Sequence, residues 1–423
     1  MHSTFKLNNR LFVVTLLLMC VPLGISLGNL TFFIWFLPAS FIMLNNFRTN
    51  TSVIGNRKDK NIYRYQAVLF FVLLITTVNN VNSTLDNFRA LFTFGFVLLI
   101  GYSYKGIMYT ITEKTLYNVS FVILSIEVLI VFIQFLTDSD VGNVKNYFGQ
   151  SNEFSLKNIE GSGLYRLVGT FGHSNILAAF LNVFLVILLY TRANRKYVAY
   201  EVFLISLTIF AIILTFSRGN IIILLVNLSI YFFIYRQKTE VYKIVLPFMF
   251  IIPIVFIWGD SIMLAFDQIF NAYGMRSAQD IKNTYIKLDR LVMNLTAIEY
   301  IAENPFSGLG FNNSSELWFL NSNFSSLKYI SELKEIGVHN IFLLMAVEGS
   351  LISGLLYTFV VSYPLYKLLK LRNKNNITYM LISLLISFII TASIYIMQIG
   401  PLLLSVQVIF LGFSVSHLKI MSK

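Results

Sequence analysis

Charge is what this 423-residue chain has little of: 12% of its residues are Asp, Glu, Lys or Arg, against roughly 25% in a soluble globular protein. The hydrophobic share is 56%, with 40 Phe and 23 Tyr. So long a chain then lacks the polar surface to stay in water, which excludes an ordinary soluble enzyme, a nucleic-acid binder and a disordered chain. Cysteine is nearly absent. Cys20 alone permits neither an internal disulfide nor a thiolate metal cluster. It follows Leu17-Leu18-Met19, where bulky Met19 argues against a lipoprotein cleavage site and a packed or lipid-facing thiol is expected. The loops expected inside the cell hold basic clusters but no Gly-rich phosphate loop, so no cytoplasmic nucleotide site is expected there.

What the chain has is long apolar runs. A membrane-crossing helix needs about 20 mostly apolar residues, and such runs fall near 11–27, 30–46, 65–82, 89–104, 117–137, 173–190, 198–216, 219–235, 241–258, 340–366, 377–396 and 399–416. The first imitates a secretory signal after Lys6 and Arg10, but no small-x-small cleavage site precedes the next run, so it is taken as a helix. The fold class expected is all-α, a polytopic membrane protein of about 12 transmembrane helices.

The placement of charge supports the alternation. With an internal amino terminus, the inner segments carry 21 basic residues against Asp59, Glu113 and Glu240, a net of +18. The outer segments carry 11 basic and 14 acidic residues. All inner segments are short, as the positive-inside rule requires. Both termini are therefore expected in the cytoplasm, with the protein multi-pass in the cytoplasmic (inner) membrane and no nucleic acid among its partners. Two outer loops are long, about 137–172 and 259–338. Within the second, Leu288, Leu291, Val292, Leu295, Ile298 and Ala302 recur at helical spacing before Pro305, Gly308 and Gly310, predicting an amphipathic helix over 284–303.

Chemistry, if present, is expected to face outward. Of four histidines, His173 and His339 lie on that side, in Gly172-His173-Ser174-Asn175 and Val338-His339-Asn340, each at the start of a span. A histidine there is commonly a helix cap, but two His–Asn pairs each ending a long loop suggest more. Arg218 sits in Thr215-Phe216-Ser217-Arg218-Gly219-Asn220, a tight break between two spans, where the alternative is an interfacial anchor. Arg166 precedes one histidine-bearing helix. Arg290 lies off the apolar stripe of the amphipathic helix, where a solvated face is the plainer explanation. Several arginines over an outer vestibule suit an anionic substrate such as a lipid diphosphate, because guanidinium binds phosphate oxygens bidentately and keeps its charge. No metal site is expected: Asp138-Ser139-Asp140 reads as a solvated turn, and the first outer loop, Gly28-Asn29, has no acid. Glu127 and Glu348 fall within spans, where an acid is a functional candidate by default; for Glu348, pairing with an arginine is the expectation.

The order of four motifs resembles a known family. Arg166-Leu-Val-Gly169-Thr-Phe-Gly-His173-Ser-Asn175-Ile-Leu-Ala178 is followed by Thr215-Phe-Ser-Arg218-Gly219, by Asn304-Pro305-Phe-Ser-Gly308-Leu-Gly310, and by His339-Asn340-Ile-Phe continuing to Glu348-Gly349. This series, over about Arg166 to Gly354, resembles the O-antigen ligase/polymerase superfamily of bacterial membrane polysaccharide enzymes. One departure is Ser174, where family members often have Pro.

The resemblance implies a C-type glycosyltransferase-like membrane fold with a large extracytoplasmic loop, a metal-independent inverting reaction without cofactor, and a glycan donor on undecaprenyl diphosphate. The family's functional arginines correspond to Arg218 and Arg290 and its loop-end histidine to His339, which are expected to be catalytic; Arg166, His173, Asn175, Asn340 and Glu348 are expected to bind substrate. The chain divides accordingly into 1–137 (spans one to five), 138–366 (the core, spans six to ten with the outer loop 259–338) and 367–423 (spans eleven and twelve). A polymerase is preferred, with a chain-length regulator and a flippase of the same pathway as partners. A ligase differs only in its acceptor. A lipid-linked oligosaccharide transporter would instead need matched broken helices in two halves and polar residues at the bilayer midplane. A non-catalytic assembly scaffold would leave the outer Arg/His grouping unexplained.

Overall fold

A segment with no polar face can satisfy its backbone away from water only as a helix or a closed barrel, and the apolar runs among the described residues are helical over most of their length. The computed structural model describes residues 2–19, 24–27, 30–33, 36–48, 60–104, 111–139, 141–142, 157–159, 164–191, 198–235, 289–317, 338, 340–394 and 401–421. Among these are α1 (His2–Met19), α2 (Phe36–Arg48), α3 (Lys60–Asn79), α4 (Leu85–Tyr104), α5 (Glu113–Thr137), α6 (Ser174–Tyr190), α7 (Val198–Leu214) and α8 (Arg218–Tyr235). Further along lie α9 (Asp289–Glu303), α10 (Ile341–Gly349), α11 (Leu351–Leu369), α12 (Asn376–Ile394) and α13 (Pro401–Met421). Two short antiparallel hairpins accompany the helices, β1 (Gly24–Leu27) with β2 (Leu30–Phe33), and β3 (Lys157–Ile159) with β4 (Leu164–Arg166).

Five described helices contain stretches long and apolar enough to cross a membrane: Ile62–Asn79, Glu113–Thr137, Arg218–Tyr235, Leu351–Leu369 and Asn376–Ser393. Three expected spans differ in detail. The run 30–46 opens as the strand β2, with α2 described from Phe36. The run 11–27 ends as a helix at Met19 and gives way to β1, with Gly28-Asn29, a pair suited to a two-residue hairpin loop, between the strands in sequence. The run 340–366 is split at Ser350, whose φ of 113° is not helical. The run 241–258 lies outside the described residues.

The chain forms two units, each assembled from separated stretches. The first is Met1–Asn45, Ile107–Met275 and Arg372–Ser387. Its centre is α6, buried on nearly every side, as expected of a helix apolar all round. α5, α7 and α8 pack against α6. Phe171, Phe180 and Phe184 pack in succession as tilted pairs with ring centroids 4.7 Å apart. These helices differ in length: α5 has 25 residues, α6 and α7 have 17 each, and α8 has 18.

The second unit is Asn46–Gly106, Arg276–Leu371 and Phe388–Lys423. Here α4 packs on α3 and α13, α11 packs on α3, α10 and α13, and α9 lies against α10.

Side-chain placement is inverted relative to a soluble protein. On α8, Phe233 is 67% exposed whereas Asn227 is 1% exposed and bonded to Ser387 Oγ at 3.0 Å. Leu129 and Phe203 face outward while Asn182, Ser383 and Gln407 are buried. Apolar side chains turned out and hydrogen-bonded polar ones turned in are what a lipid solvent selects.

Candidate functional site

The first unit gathers five of the residues singled out in the sequence: Glu127, Arg166, His173, Asn175 and Arg218. Ten residues before the end of α5, the buried Glu127 accepts from the Thr170 hydroxyl at 2.7 Å and from its amide at 3.4 Å. One heptad on, Gln134 Oε1 accepts from the amides of Val168 (3.3 Å) and Gly169 (2.9 Å). Its Nε2 donates to the carbonyls of Gly169 and Val141, both at 2.9 Å. The segment so held, Leu167 to Gly172, is buried. Gly169 is required there: its φ is +55°, and a Cβ would stand 2.8 Å from Leu177 Cδ1 and 2.9 Å from Glu127 Oε2.

On either side of this turn stand Arg166 and His173. Arg166, closing β4, donates from Nε to the Thr215 carbonyl and from Nη2 to Asn175 Oδ1, both at 3.3 Å. His173 caps α6, its Nδ1 accepting from the Asn175 amide at 3.1 Å. That leaves the proton on Nε2, a tautomer assigned from the bonding pattern.

The Thr215–Ser217 link between α7 and α8 closes the arrangement. Phe216 adopts a φ of 50°, unusual for an aromatic residue and a mark of a constrained turn. Asn220, fully buried in the first turn of α8, donates to Ser217 Oγ at 2.8 Å and to the Asn175 carbonyl at 3.1 Å. Its own carbonyl accepts from Asn182 Nδ2 at 3.0 Å. Arg218 is the first residue of α8, half-buried, two positions before Asn220. The beginnings of α6 and α8 are thus joined through Asn175 and Asn220, with Arg166 and Arg218 at the join. Helix N-termini carry partial positive charge, and with the Arg166 guanidinium bonded to Asn175 and Arg218 opening α8 the arrangement favours an anion with several oxygens.

The second unit carries the other motifs. Asn340 caps α10, its Oδ1 accepting from the amides of Phe342 (2.9 Å) and Leu343 (3.3 Å). Glu348, buried at the end of α10, is bonded to the backbone of Asn312 and Ser314 and to the Ser314 side chain, so its described partners form a loop rather than the arginine expected. The Asn304–Gly310 motif lies along the same helix end: Leu309 donates to the Val347 carbonyl and Gly310 to that of Glu348, both at 2.9 Å, and Leu351 donates to Pro305 at 3.0 Å. Gly308 makes this possible, since a Cβ would fall 2.4 Å from the Glu348 carbonyl oxygen. Asn80, Asn87 and Thr77 hold the loop from the tip of α3–α4, bonding Leu309 O, Phe311 O and Phe311 N respectively.

The helix expected over 284–303 is α9, described from Asp289. Its Tyr300 is bonded to Ser307, and burial, then the charge of Glu316, holds the phenol above its ordinary pKa and neutral. Arg290 stands in the first turn of α9, with its side chain outside the described residues, as is His339 altogether. Asp138 takes the left-handed conformation at the end of α5, the turn role expected of it, while Asp140 is outside the described residues. Among the described residues no group of three or more His, Cys, Asp or Glu is placed to hold a metal ion.

Two residues of the first-unit site were not singled out in the sequence, Gln134 and Asn220, while Glu127, a candidate there without a stated role, holds a turn. The spacing of Glu127 and Gln134, seven residues apart in an otherwise apolar span, puts both on one helix face and is the signal that could have found them.

Residues 202–358 match the protein family described as O-antigen ligase. The match begins in α7, ends in α11, and takes in Arg218, Arg290, the Asn304–Gly310 motif, His339-Asn340 and Glu348. No curated protein matches the chain. With its apolar-out helices, the protein is an integral membrane protein, and the match over residues 202–358 supports its place in the O-antigen ligase/polymerase superfamily.

Proposed function

We propose that the protein is a polysaccharide polymerase, joining oligosaccharide repeat units carried on undecaprenyl diphosphate, of capsule, exopolysaccharide or O-antigen type, at the outer face of the cytoplasmic membrane. The observation that carries this reading is the join of the α6 and α8 N-termini, where Arg166 and Arg218 stand beside Asn175 and Asn220.

In the proposed reaction an acceptor hydroxyl attacks C1 of the donor sugar from the face opposite the diphosphate. The new C1–O bond forms as the C1–O(phosphate) bond breaks, with inversion. The bonding pair leaves on the diphosphate, where Arg218 neutralises the developing charge, commonly the largest catalytic contribution. The family resemblance assigns Arg290 a second contact to that charge and His339 acceptance of the hydroxyl proton, an effect typically worth about 10²–10⁴-fold. Arg166, His173 and Asn175 bind donor phosphate or sugar. Guanidiniums fixed in charge do the work a divalent cation does elsewhere, so the reaction needs none.

Purified protein given a lipid-diphosphate repeat unit should yield a glycan ladder and released undecaprenyl diphosphate, undiminished by a chelator. Arg218→Ala and His339→Ala should each abolish the ladder while the protein still inserts. A full ladder from either variant overturns the assignment. Transfer of the glycan to a different acceptor, without a ladder, marks a ligase. Intact substrate moved between leaflets marks a transporter.

A further inference from the structure

We infer that Glu127 and Gln134 are positioning residues which, from the side of α5, set the turn carrying Arg166, His173 and Asn175. This rests on the site assigned above and extends it to side chains that touch no substrate.

Both residues are fully buried in the longest described helix of the first unit. A buried carboxylate and amide in an apolar span commonly bond a side chain of the next helix and hold two helices together. Here five of their six described hydrogen bonds go instead to residues 168–170, which are neither helix nor strand. Irregular backbone at membrane depth persists only where protein supplies its hydrogen bonds. Gln134 supplies both kinds, accepting from two amides and donating to the Gly169 carbonyl. Glu127 offers one oxygen to the Thr170 hydroxyl and the other toward its amide.

Gly169 fits the same account, since any Cβ there would press on the Glu127 carboxylate. The turn is short and held at both ends. Arg166, three residues before Gly169, is tied to Thr215 and Asn175; His173, three residues after Thr170, caps α6. Releasing the middle of such a turn frees Arg166 and the α6 N-terminus together. α5 therefore governs how two substrate-binding groups face the donor.

The experiment compares Glu127→Leu, Gln134→Leu, Thr170→Val and the Glu127→Leu/Thr170→Val double variant with Thr170→Ser, in the full-length protein in detergent or nanodiscs. Leu at 127 or 134 removes the polar partners of the turn at similar size; Val removes the Thr170 hydroxyl at similar shape; Ser keeps it. Hydrogen–deuterium exchange is read over residues 166–175, and KM and kcat are read with the lipid-diphosphate repeat unit. The expected result is exchange faster by about tenfold or more in that segment alone, KM raised about fivefold or more, and kcat within about twofold. The double variant should be no worse than either single one, as for two partners of one interaction, and Thr170→Ser should behave as wild type.

Unchanged exchange over 166–175, or Thr170→Ser as impaired as Thr170→Val, overturns the inference. So does faster exchange throughout the protein, which would make the contact a plain stabiliser. A wild-type protein that builds no polymer overturns the polymerase reading instead, and the exchange measurement then still decides the role of Glu127 and Gln134.

Discussion

Arg218 and His339 have different demands on their surroundings, and pH separates them. A guanidinium keeps its charge throughout the working range, so Arg218 contributes no pH dependence. A histidine acting as base must be neutral, and its ordinary pKa is about 6.5. The rate should therefore be level above that value and fall about tenfold for each unit below it. This is checked by the pH profile of kcat/KM between about 5 and 8. A profile without that acidic limb removes His339 from the role of base. The capping residues show what a sequence alone leaves mixed. His173 and Asn340 are helix caps in the structure, bonded through Nδ1 and Oδ1 respectively, the plain role that a His or Asn at a span start suggests. The Asn175–Asn220 bond crosses 45 residues of sequence, and no local pattern announces such a pair.

Among elements, apolar runs located most helices because membrane depth leaves the backbone few alternatives. α3 to α8 begin and end within a few residues of the runs expected for them. Hydropathy does not register turns made of apolar or small residues. Gly349-Ser350 divides α10 from α11 inside one unbroken run, and β1 starts within the first. The Asn304–Gly310 motif was visible as letters, yet its purpose was not, since its partners are the carbonyls at the end of α10. That pairing predicts a cost for Gly308→Ala. The new methyl meets the Glu348 backbone rather than a flexible side chain, and overpacking of this kind typically costs about 1–3 kcal/mol. A lower thermal midpoint in detergent, with the loop 304–317 newly open to protease, is the expected result. An unchanged midpoint would mean the loop can leave α10 without loss.

For the molecule as a whole, the net charge of +12 averages over faces expected to differ, basic inside and slightly acidic outside. The few arginines expected on the outer face are a small part of that sum and carry the functional argument. The lengths of the helices around the site add a separate constraint. At about 1.5 Å per residue, α5 spans roughly 37 Å, whereas α6, capped at both ends by described residues, spans roughly 25 Å, less than the hydrocarbon thickness of about 30 Å. Thr170 meets α5 ten residues, about 15 Å, before its end, so the deficit of α6 lies at the end bearing His173 and Asn175. Bilayer thickness thereby becomes a variable of the reaction. Lengthening the acyl chains of a reconstituted membrane deepens hydrocarbon over the α6 N-terminus while α5 still spans it. Polymer formation per inserted molecule should decline from thin to thick phosphatidylcholine vesicles, and equal rates across the series would show that the donor reaches the site without regard to depth.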